Sequence, residues 1–171
     1  MQKTIYLAGG CYWGLEKYMS NVPGVLETEV GFANGHRDAP TYRQVCDEDT
    51  GHAETVRVAY DADVIPLEKL LRLFFRVIDP VSFEKQGVDE GNQYRTGVYH
   101  VHEEDVPVIR AELEKLEKAV GEPLAVEQLP LSCFWPAEEY HQKYLDKNPG
   151  GFCHVPWSAI NAVKTVNLDE V

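Results

Sequence analysis

The period of the apolar residues predicts strands and helices that follow one another along the chain. Alternation with a period of two, or a short apolar run, predicts strands at residues 4–8, 25–32, 54–60, 94–101 and 124–129. A period near 3.6, bounded by proline or glycine, predicts helices at residues 14–20, 66–78, 107–120 and 137–145. The second strand alternates, with one face formed by Leu26, Thr28, Val30 and Phe32, and this face is expected to point into the core.

Several of these strands are close enough in sequence to pair antiparallel, while others are separated by helices. This arrangement indicates an α+β fold, a sheet with helices packed on it. The length of 171 residues favours one domain that spans residues 1–171. The stretch from about residue 147 to residue 171 has no period, and we expect it to form an irregular tail.

Two internal stretches, 33–52 and 79–93, also lack a period. Loops of this length inside one domain are usually functional or disordered. Both stretches mix aromatic residues with charged ones, and the first also carries Cys46. This composition favours a functional role for both.

Composition and charge exclude some classes of function. The formal net charge is −12, which argues against a nucleic-acid or anionic-membrane surface because both require basic patches. No apolar run approaches the roughly 18 residues of a membrane span. The N-terminal residues do not resemble a signal peptide, so we expect the protein to lie in the cytoplasm. We also expect it to be a monomer.

The four cysteines, Cys11, Cys46, Cys133 and Cys153, are scattered along the chain. They form no CxxC pair and match no zinc-site spacing, so no metal is expected. In a reducing compartment most cysteines are small buried apolar residues. We expect this structural role for Cys46 and Cys133.

Cys11 has surroundings that a structural cysteine does not need. In AGGCYWGLEKYM it follows the predicted first strand and precedes the predicted first helix, so its sulfur would face a helix N-terminus. Such a position lowers a thiol pKa by roughly 0.2–1.5 units, which favours the reactive thiolate. Gly9 and Gly10 allow close approach of other atoms, and Tyr12 and Trp13 are able to form an apolar wall.

A nucleophilic thiol needs a proton donor or acceptor, and Glu54 is the most suggestive candidate. It shares strand parity with Val56 and Val58, on the apolar face of the third strand. Burial disfavours a carboxylate, so the pKa of Glu54 is expected to rise toward neutrality. The alternative is a glutamate at a strand end that points into water. None of the six histidines lies in a recognisable partner motif: His36, His52, His100, His102, His141 and His154.

Six ordered blocks of sequence resemble the A-type peptide methionine sulfoxide reductases. They are GGCYWG, PTYRQVC, TGHAETVRVAYD, QGVDEGNQYRTGVY, AEEYHQKYL and KNPGGFC, which together span nearly the whole chain. The resemblance implies reduction of the S epimer of methionine sulfoxide, free or in proteins, as a protein-repair activity. It also implies a two-layer α/β sandwich with a mixed sheet and a ferredoxin-like core.

The resemblance assigns three residues to the redox chemistry. Cys11 is the nucleophile, and Glu54 is the acid that protonates the sulfoxide oxygen. Cys11 then becomes a sulfenic acid, which condenses with Cys153 to a disulfide. Thioredoxin, or dithiothreitol in the test tube, is the implied reductant, with no cofactor. Gly150 and Gly151 are expected to let the tail that carries Cys153 move.

The resemblance also assigns a substrate pocket. Tyr42 and Tyr94 donate hydrogen bonds to the sulfoxide oxygen, and Asp89 orients the polar network. Tyr12 and Trp13 surround the substrate methyl group. The chain departs from the family pattern at position 12, where phenylalanine is usual, and in the residues around Asp89 in GVDEGNQYR.

Other readings of Cys11 remain open. A cysteine hydrolase or acyltransferase would pair Cys11 with one of the histidines. A redox sensor would use its oxidation as a signal, and a thiol peroxidase would direct it against peroxide. Within the main hypothesis, Cys133 is the alternative resolving thiol if Cys153 does not reach Cys11.

Overall fold

The computed structural model describes residues 1–151 and 154–171. In this part of the chain the strands are β1 (Gln2–Gly9), β2 (Val25–Ala33), β3 (Ala53–Asp61), β4 (Lys85–Gln86), β5 (Asp89–Glu90), β6 (Thr96–His100), β7 (Glu127–Pro130) and β8 (Phe134–Pro136). The α-helices are α1 (Tyr12–Ser20), α2 (Tyr42–Asp47), α3 (Leu67–Phe75), α4 (Val106–Val120), α5 (Tyr144–Lys147) and α6 (Trp157–Ala162). Short 3-10 turns, among them Asn92–Tyr94 and Glu139–His141, connect them.

Six of the described strands form one mixed sheet in the order β7-β6-β1-β3-β2-β8. All neighbours in it pair antiparallel except β6 and β7, which pair in parallel. The strands β4 and β5 form a separate two-stranded hairpin. The mixed sheet with helices confirms the predicted α+β class, whereas a ferredoxin-like core stays a prediction.

The two faces of the sheet carry cores of different size. On one face Ile5, Val58 and their neighbours pack against buried residues of the helices, such as Leu70 and Phe74. On the other face a small cluster contains Ala8, Ala33, Ala53 and Tyr99. The helices therefore cover one face of the sheet, as a two-layer arrangement requires.

A β-bulge changes the predicted inward face of β2. Val30 and Phe32 are fully buried as predicted, but Leu26 is 58% exposed. The pairing of β2 with β3 shifts between Val25 and Glu27, so Leu26 is an extra residue in the strand. An extra residue is left out of the ladder and breaks the alternation of faces. The expectation that Leu26 points into the core was therefore wrong.

The regions without a period contain short elements. The stretch 33–52 holds α2, and 79–93 holds the β4–β5 hairpin and a 3-10 turn. The C-terminal stretch, expected to be irregular, includes α6 and further 3-10 turns. The predicted helix 137–145 is instead a 3-10 turn followed by α5, because Lys143 has a positive φ of 55° that interrupts it. No helix in the described part of the chain is long and apolar enough to cross a membrane.

Phe74 is a direct test of the core on the helical face. It is 0% exposed and its ring lies within 2.9 Å of the position that a Cβ on Gly9 would take. We expect Phe74→Ala to lower the free energy of unfolding by about 3–5 kcal/mol through lost burial and a residual cavity. Phe83→Ala, at a side chain that is 76% exposed, is the matched control and should change it by less than about 0.5 kcal/mol. Denaturant unfolding measures both, and equal losses would contradict the assigned core.

Candidate functional site

Cys11 lies where the sequence predicts, between a central strand and a helix. It is the N-cap residue of α1, two residues after the end of β1. Its side chain makes no capping hydrogen bond to the helix, so the thiol is not used to close the first turn. Cys11 is half-buried, and its position is set by the strand before it and the helix after it.

The two glycines before Cys11 are required by close packing. Gly10 has a φ of +85°, and a Cβ there would lie 2.7 Å from Cβ of Gln86 and 2.9 Å from a ring carbon of His154. Gln86 itself is buried and holds the loop by two hydrogen bonds to the backbone of Asp79. The loop 79–93 and the segment that begins at His154 thus both border the residue next to Cys11.

Glu54 lies on β3 and is 1% exposed. Its Oε1 accepts a hydrogen bond from the backbone N–H of Tyr12 at 3.2 Å. This bond joins the central strand to the first turn of α1, immediately after Cys11. A buried carboxyl group therefore binds the residue that follows the candidate thiol, and its pairing with the thiol itself stays a prediction.

Tyr42 is the first residue of α2, and its ring lies close to the first turn of α1. The helix begins at Thr41, whose side chain accepts from Gln44 N–H while the Gln44 side chain accepts from Thr41 N–H, a complete capping box. The Tyr42 backbone N–H donates to Glu138, which ties α2 to the segment 137–147. The Tyr42 ring lies 6.3 Å from both Tyr12 and Trp13, measured between ring centroids.

Tyr94 ends the 3-10 turn that follows the β4–β5 hairpin. Burial raises the pKa of both Tyr94 and Tyr42, and the negative charge of Glu54 raises both further. Asp89 on β5 and Cys11 add to the effect at Tyr94. Both phenols are therefore held in the neutral form, which donates a hydrogen bond. Glu54 and Tyr94 thus act on Tyr42, and Glu54, Asp89 and Cys11 act on Tyr94.

Tyr12 and Trp13 form the apolar side of the site. Tyr12 is 0% exposed and contacts the rings of Phe32 and His141. Trp13 is half-buried and stacks on Tyr144 with centroids 3.7 Å apart. The Tyr12 hydroxyl is buried without a hydrogen-bond partner among the described residues. An extra hydroxyl at this position thus adds a polar atom that the site does not use.

Sequence reasoning missed two aromatic neighbours of Trp13. His141 appeared only as one of six possible catalytic bases, and Tyr144 was not considered. In the structure the His141 ring accepts a hydrogen bond from the Trp13 indole, and the Tyr144 ring stacks on that indole. Their spacing of three residues in EEYHQKYL is a helical signal that two side chains share a face, but it does not say which face meets Trp13.

The other cysteines differ in their surroundings. The Cys133 thiol donates to the carbonyl oxygen of Gly35, at 3.6 Å. Burial raises the pKa of Cys46, which disfavours its thiolate. Cys153, the predicted resolving thiol, lies outside the described residues. Its described neighbours in sequence are near the site: Gly151 packs on Tyr144, and His154 on Gly10.

His52, two residues before Glu54 in sequence, makes hydrogen bonds to a loop. Its Nδ1 accepts from Gly35 N–H, and its Nε2 lies 2.6 Å from the Arg37 carbonyl oxygen. Burial lowers the pKa of His52, so it holds the loop as a neutral ring. Within residues 1–151 and 154–171 there is no group of three or more His, Cys, Asp and Glu side chains arranged to hold a metal ion.

Comparison with known proteins gives a consistent result. Residues 3–169 match the family model described as peptide methionine sulfoxide reductase. The peptide methionine sulfoxide reductase MsrA of Lachnoclostridium phytofermentans is 56% identical over 164 residues, which are 96% of this chain and 99% of that protein. The likeness therefore extends over essentially the full length of both sequences.

Solved structures are similar over most of the chain. Mxr1 from Saccharomyces cerevisiae in reduced form superposes with a TM-score of 0.83 at 39% identity, covering 89% of this chain and 88% of that one. The same yeast protein in complex with Trx2 superposes with a TM-score of 0.59 at 27% identity, covering 84% of each chain.

Removal of the Tyr12 hydroxyl is expected to stabilise the protein. A buried polar group without a partner costs about 1–3 kcal/mol, so Tyr12→Phe should raise the free energy of unfolding by about 1 kcal/mol. Tyr18→Phe is the matched control, because the Tyr18 hydroxyl is buried and donates to the Leu73 carbonyl at 2.8 Å. That variant should lose about 1 kcal/mol. Denaturant unfolding should show that the free energy of unfolding rises in Tyr12→Phe and falls in Tyr18→Phe. A fall in both variants would contradict the assignment of the Tyr12 hydroxyl as unsatisfied.

Proposed function

This chain belongs to the peptide methionine sulfoxide reductase family, and from that premise we propose that it reduces the S epimer of methionine sulfoxide through Cys11. The family is one of thiol-dependent oxidoreductases that act in protein repair. The observation that carries the proposal for this chain is the hydrogen bond between Glu54 and the residue after Cys11. A buried carboxyl group bound to the residue after the candidate nucleophile supports the proposal, because the reaction needs an acid near the thiol.

The first step transfers the oxygen atom from substrate to enzyme. The Cys11 sulfur attacks the sulfoxide sulfur while Glu54 gives its proton to the sulfoxide oxygen. This attack forms a sulfur–sulfur bond and leaves a hydroxyl group on the substrate sulfur. The hydroxyl group then passes to the Cys11 sulfur as the sulfur–sulfur bond and the sulfur–oxygen bond of the substrate break, so that methionine leaves and Cys11 becomes a sulfenic acid. The substrate is reduced by two electrons and Cys11 is oxidised by two.

Burial supports the role of Glu54 as the acid. At an ordinary pKa of about 4.3, only about 0.2% of a glutamate is protonated at pH 7. A side chain that is 1% exposed loses much of the hydration that stabilises its charge, which favours the neutral acid. The hydrogen bond from Tyr12 N–H favours the charged carboxylate and so acts in the opposite direction.

The neighbouring side chains fit the two ends of a methyl sulfoxide. Tyr42 and Tyr94, as neutral phenols, supply O–H donors for the oxygen, and Asp89 lies within electrostatic reach of Tyr94. Tyr12 and Trp13 supply aromatic surface for the methyl group. A polar end and an apolar end on opposite sides of one sulfur atom select a sulfoxide over a carbonyl or a sulfate.

We propose that Cys153 resolves the sulfenic acid. Condensation of its thiol with Cys11 forms a disulfide and releases water, and a reduced dithiol then regenerates both cysteines. The positions of Gly151 and His154 beside the site support this choice. The Cys133 thiol is instead engaged with Gly35, which makes it the weaker alternative.

The proposed reductant is thioredoxin, with dithiothreitol as its chemical substitute. Support comes from the related yeast protein, whose structure was solved in complex with Trx2. We further propose that the enzyme works as a cytoplasmic monomer without metal or organic cofactor. Both free and protein-bound methionine sulfoxide are proposed substrates, since Trp13 and Cys11 are only half-buried.

Release of methionine from an S-sulfoxide substrate tests the function. With dithiothreitol as reductant the protein should turn over the S epimer and leave the R epimer unchanged. Cys11→Ser should abolish turnover because serine is not oxidised to a sulfenic acid. Glu54→Gln should slow turnover by about 10²–10⁴-fold, the contribution of a positioned acid. A folded protein that produces no methionine, or a fully active Cys11→Ser variant, would refute the proposal.

The resolving step is tested by a change of reductant. Cys153→Ser should stop thioredoxin-supported cycling but still release about one methionine per enzyme, because the sulfenic acid forms and is not resolved. Dithiothreitol, which reduces a sulfenic acid directly, should restore turnover. Cys133→Ser is the matched control and should cycle with thioredoxin. Continued cycling in Cys153→Ser with loss in Cys133→Ser would transfer the role to Cys133.

A further inference from the structure

The two stretches without a period, 33–52 (the first loop) and 79–93 (the second loop), are joined by one side chain, Arg95. This arginine follows the 3-10 turn that closes the second loop, and its side chain is 12% exposed. Its Nη1 donates to the backbone carbonyl of Asn92 in the second loop at 3.0 Å. Its Nη2 donates to the backbone carbonyl of Gly51 in the first loop at 2.9 Å. One guanidinium group therefore binds the C-terminal ends of both loops.

The third nitrogen of Arg95 is anchored on the sheet. Its Nε donates to Oε1 of Glu127 on β7 at 2.7 Å, and the Tyr99 hydroxyl donates to the same oxygen at 2.8 Å. The Tyr99 ring lies over Gly97, where a Cβ would come within 2.7 Å of it. Tyr99 belongs to the small core cluster, so the anchor of Arg95 lies on the face of the sheet opposite the large helical core.

The residue before Arg95 lies near the proposed acid. The 3-10 turn that ends at Tyr94 contacts β3, the strand that carries Glu54. Burial is the main cause of the raised pKa of Tyr94, and the negative charge of Glu54 raises it further, as expected for neighbouring groups. Gly51 lies three residues before Glu54 in sequence. Arg95 therefore binds both the turn that carries Tyr94 and the segment that leads to Glu54.

The three bonds require the shape of a guanidinium group as well as its charge. Arginine has N–H donors on three nitrogens in a rigid planar fork, which allows it to reach partners in different directions. Lysine has a single nitrogen at the end of a flexible chain. A lysine at position 95 would keep a positive charge beside Glu127 without spanning the two backbone carbonyls. The two side chains therefore separate the ion pair from the connection between the loops.

We propose that Arg95 is a positioning residue, which clamps the two loops together and thereby fixes the Tyr94 hydroxyl relative to Glu54, so that both act on the sulfoxide oxygen. The inference rests on the proposed function for its effect on the reaction. The clamp itself requires no substrate, which allows the two to be tested separately.

Single-turnover release of methionine from an S-sulfoxide, without reductant, tests the effect on the first chemical step. Arg95→Gln should lower the rate constant at saturating substrate by about 10- to 100-fold, because a small displacement of a positioned group is costly in the transition state. The substrate concentration that gives half the maximal rate should change by less than about threefold. Arg95→Lys should lower the rate constant by about tenfold, and it keeps the test available if the glutamine variant does not fold.

Arg57→Gln is the matched control. Arg57 is 20% exposed and pairs with two glutamates of β2, Glu27 and Glu29, so its loss also removes ionic hydrogen bonds of the sheet. It binds neither loop through these contacts, and its variant should keep the rate constant within about twofold of the parent. A loss equal to that of the Arg95 variants would overturn the proposal, because the effect would then be one of general stability.

A second substitution at Tyr94 distinguishes positioning from a merely structural role. Tyr94→Phe removes the hydroxyl group that Arg95 is proposed to place. In this background either Arg95 variant should lower the rate constant by less than about threefold further, since coupled residues are not additive. The same fold-loss with and without the Tyr94 hydroxyl would overturn the proposal. So would a folded Arg95→Lys variant that reacts at the rate of the parent.

Amide hydrogen exchange tests the clamp without substrate. The Tyr94 N–H is bonded to a carbonyl of the second loop at 3.0 Å, and the His36 N–H to a carbonyl of the first loop at 2.9 Å. In Arg95→Lys both amides should exchange about three- to tenfold faster than in the parent, because both loops open more often. In Arg57→Gln neither should change.

The exchange result separates the clamp from the proposed function. Faster exchange at Tyr94 alone, or at neither amide, would overturn the clamp even in an active enzyme. Faster exchange at both amides in a protein without reductase activity would support the clamp and refute only the proposed function.

Discussion

The hydrogen bond from Tyr12 N–H to Glu54 is the contact on which the organisation of the site depends. It connects β3 to the first turn of α1, and thus brings a carboxyl group from 42 positions further along the chain to Tyr12, the residue after Cys11. Burial makes this contact chemically meaningful, because a carboxyl group in water would remain a carboxylate at neutral pH. Glu54 is 1% exposed, so it has lost most of the water that would stabilise its charge.

The aromatic side chains serve two purposes at once. Tyr12, Trp13 and Tyr42 provide apolar surface, and the packing of Tyr42 against the other two rings also joins α2 to α1. The segment 137–147 completes this wall, since Glu138 binds the N-terminus of α2 and Tyr144 stacks on Trp13. A set of contacts between three separate stretches of sequence thus fixes one small cluster of rings.

The backbone conformation and the packing at Gly10 explain why glycine precedes Cys11. The positive φ of Gly10 turns the chain from β1 into α1, and the absence of a Cβ admits Gln86 and His154. The same close approach brings the loop 79–93, and with it Tyr94, to the edge of the site. Conformational freedom and close packing are therefore both needed at this position.

The sequence alone determined the strand–helix alternation, the position of Cys11 between β1 and α1, and the apolar side of β3 on which Glu54 lies. These features follow from local periodicity and from glycine and proline, which act within a few residues. The six ordered motifs extended this to the family and to the residues of the site.

Only the tertiary structure decided which face of each element meets which other face. The bulge at Leu26 depends on how β2 pairs with β3. The interruption of the predicted helix at Lys143 is accompanied by a hydrogen bond from its N–H to Glu16, and His141 meets Trp13 through a hydrogen bond from the indole. These are non-local contacts between residues far apart in sequence, and no periodic pattern contains their geometry. The sequence therefore identified the candidate reactive groups, and tertiary packing determined which contacts hold them in position.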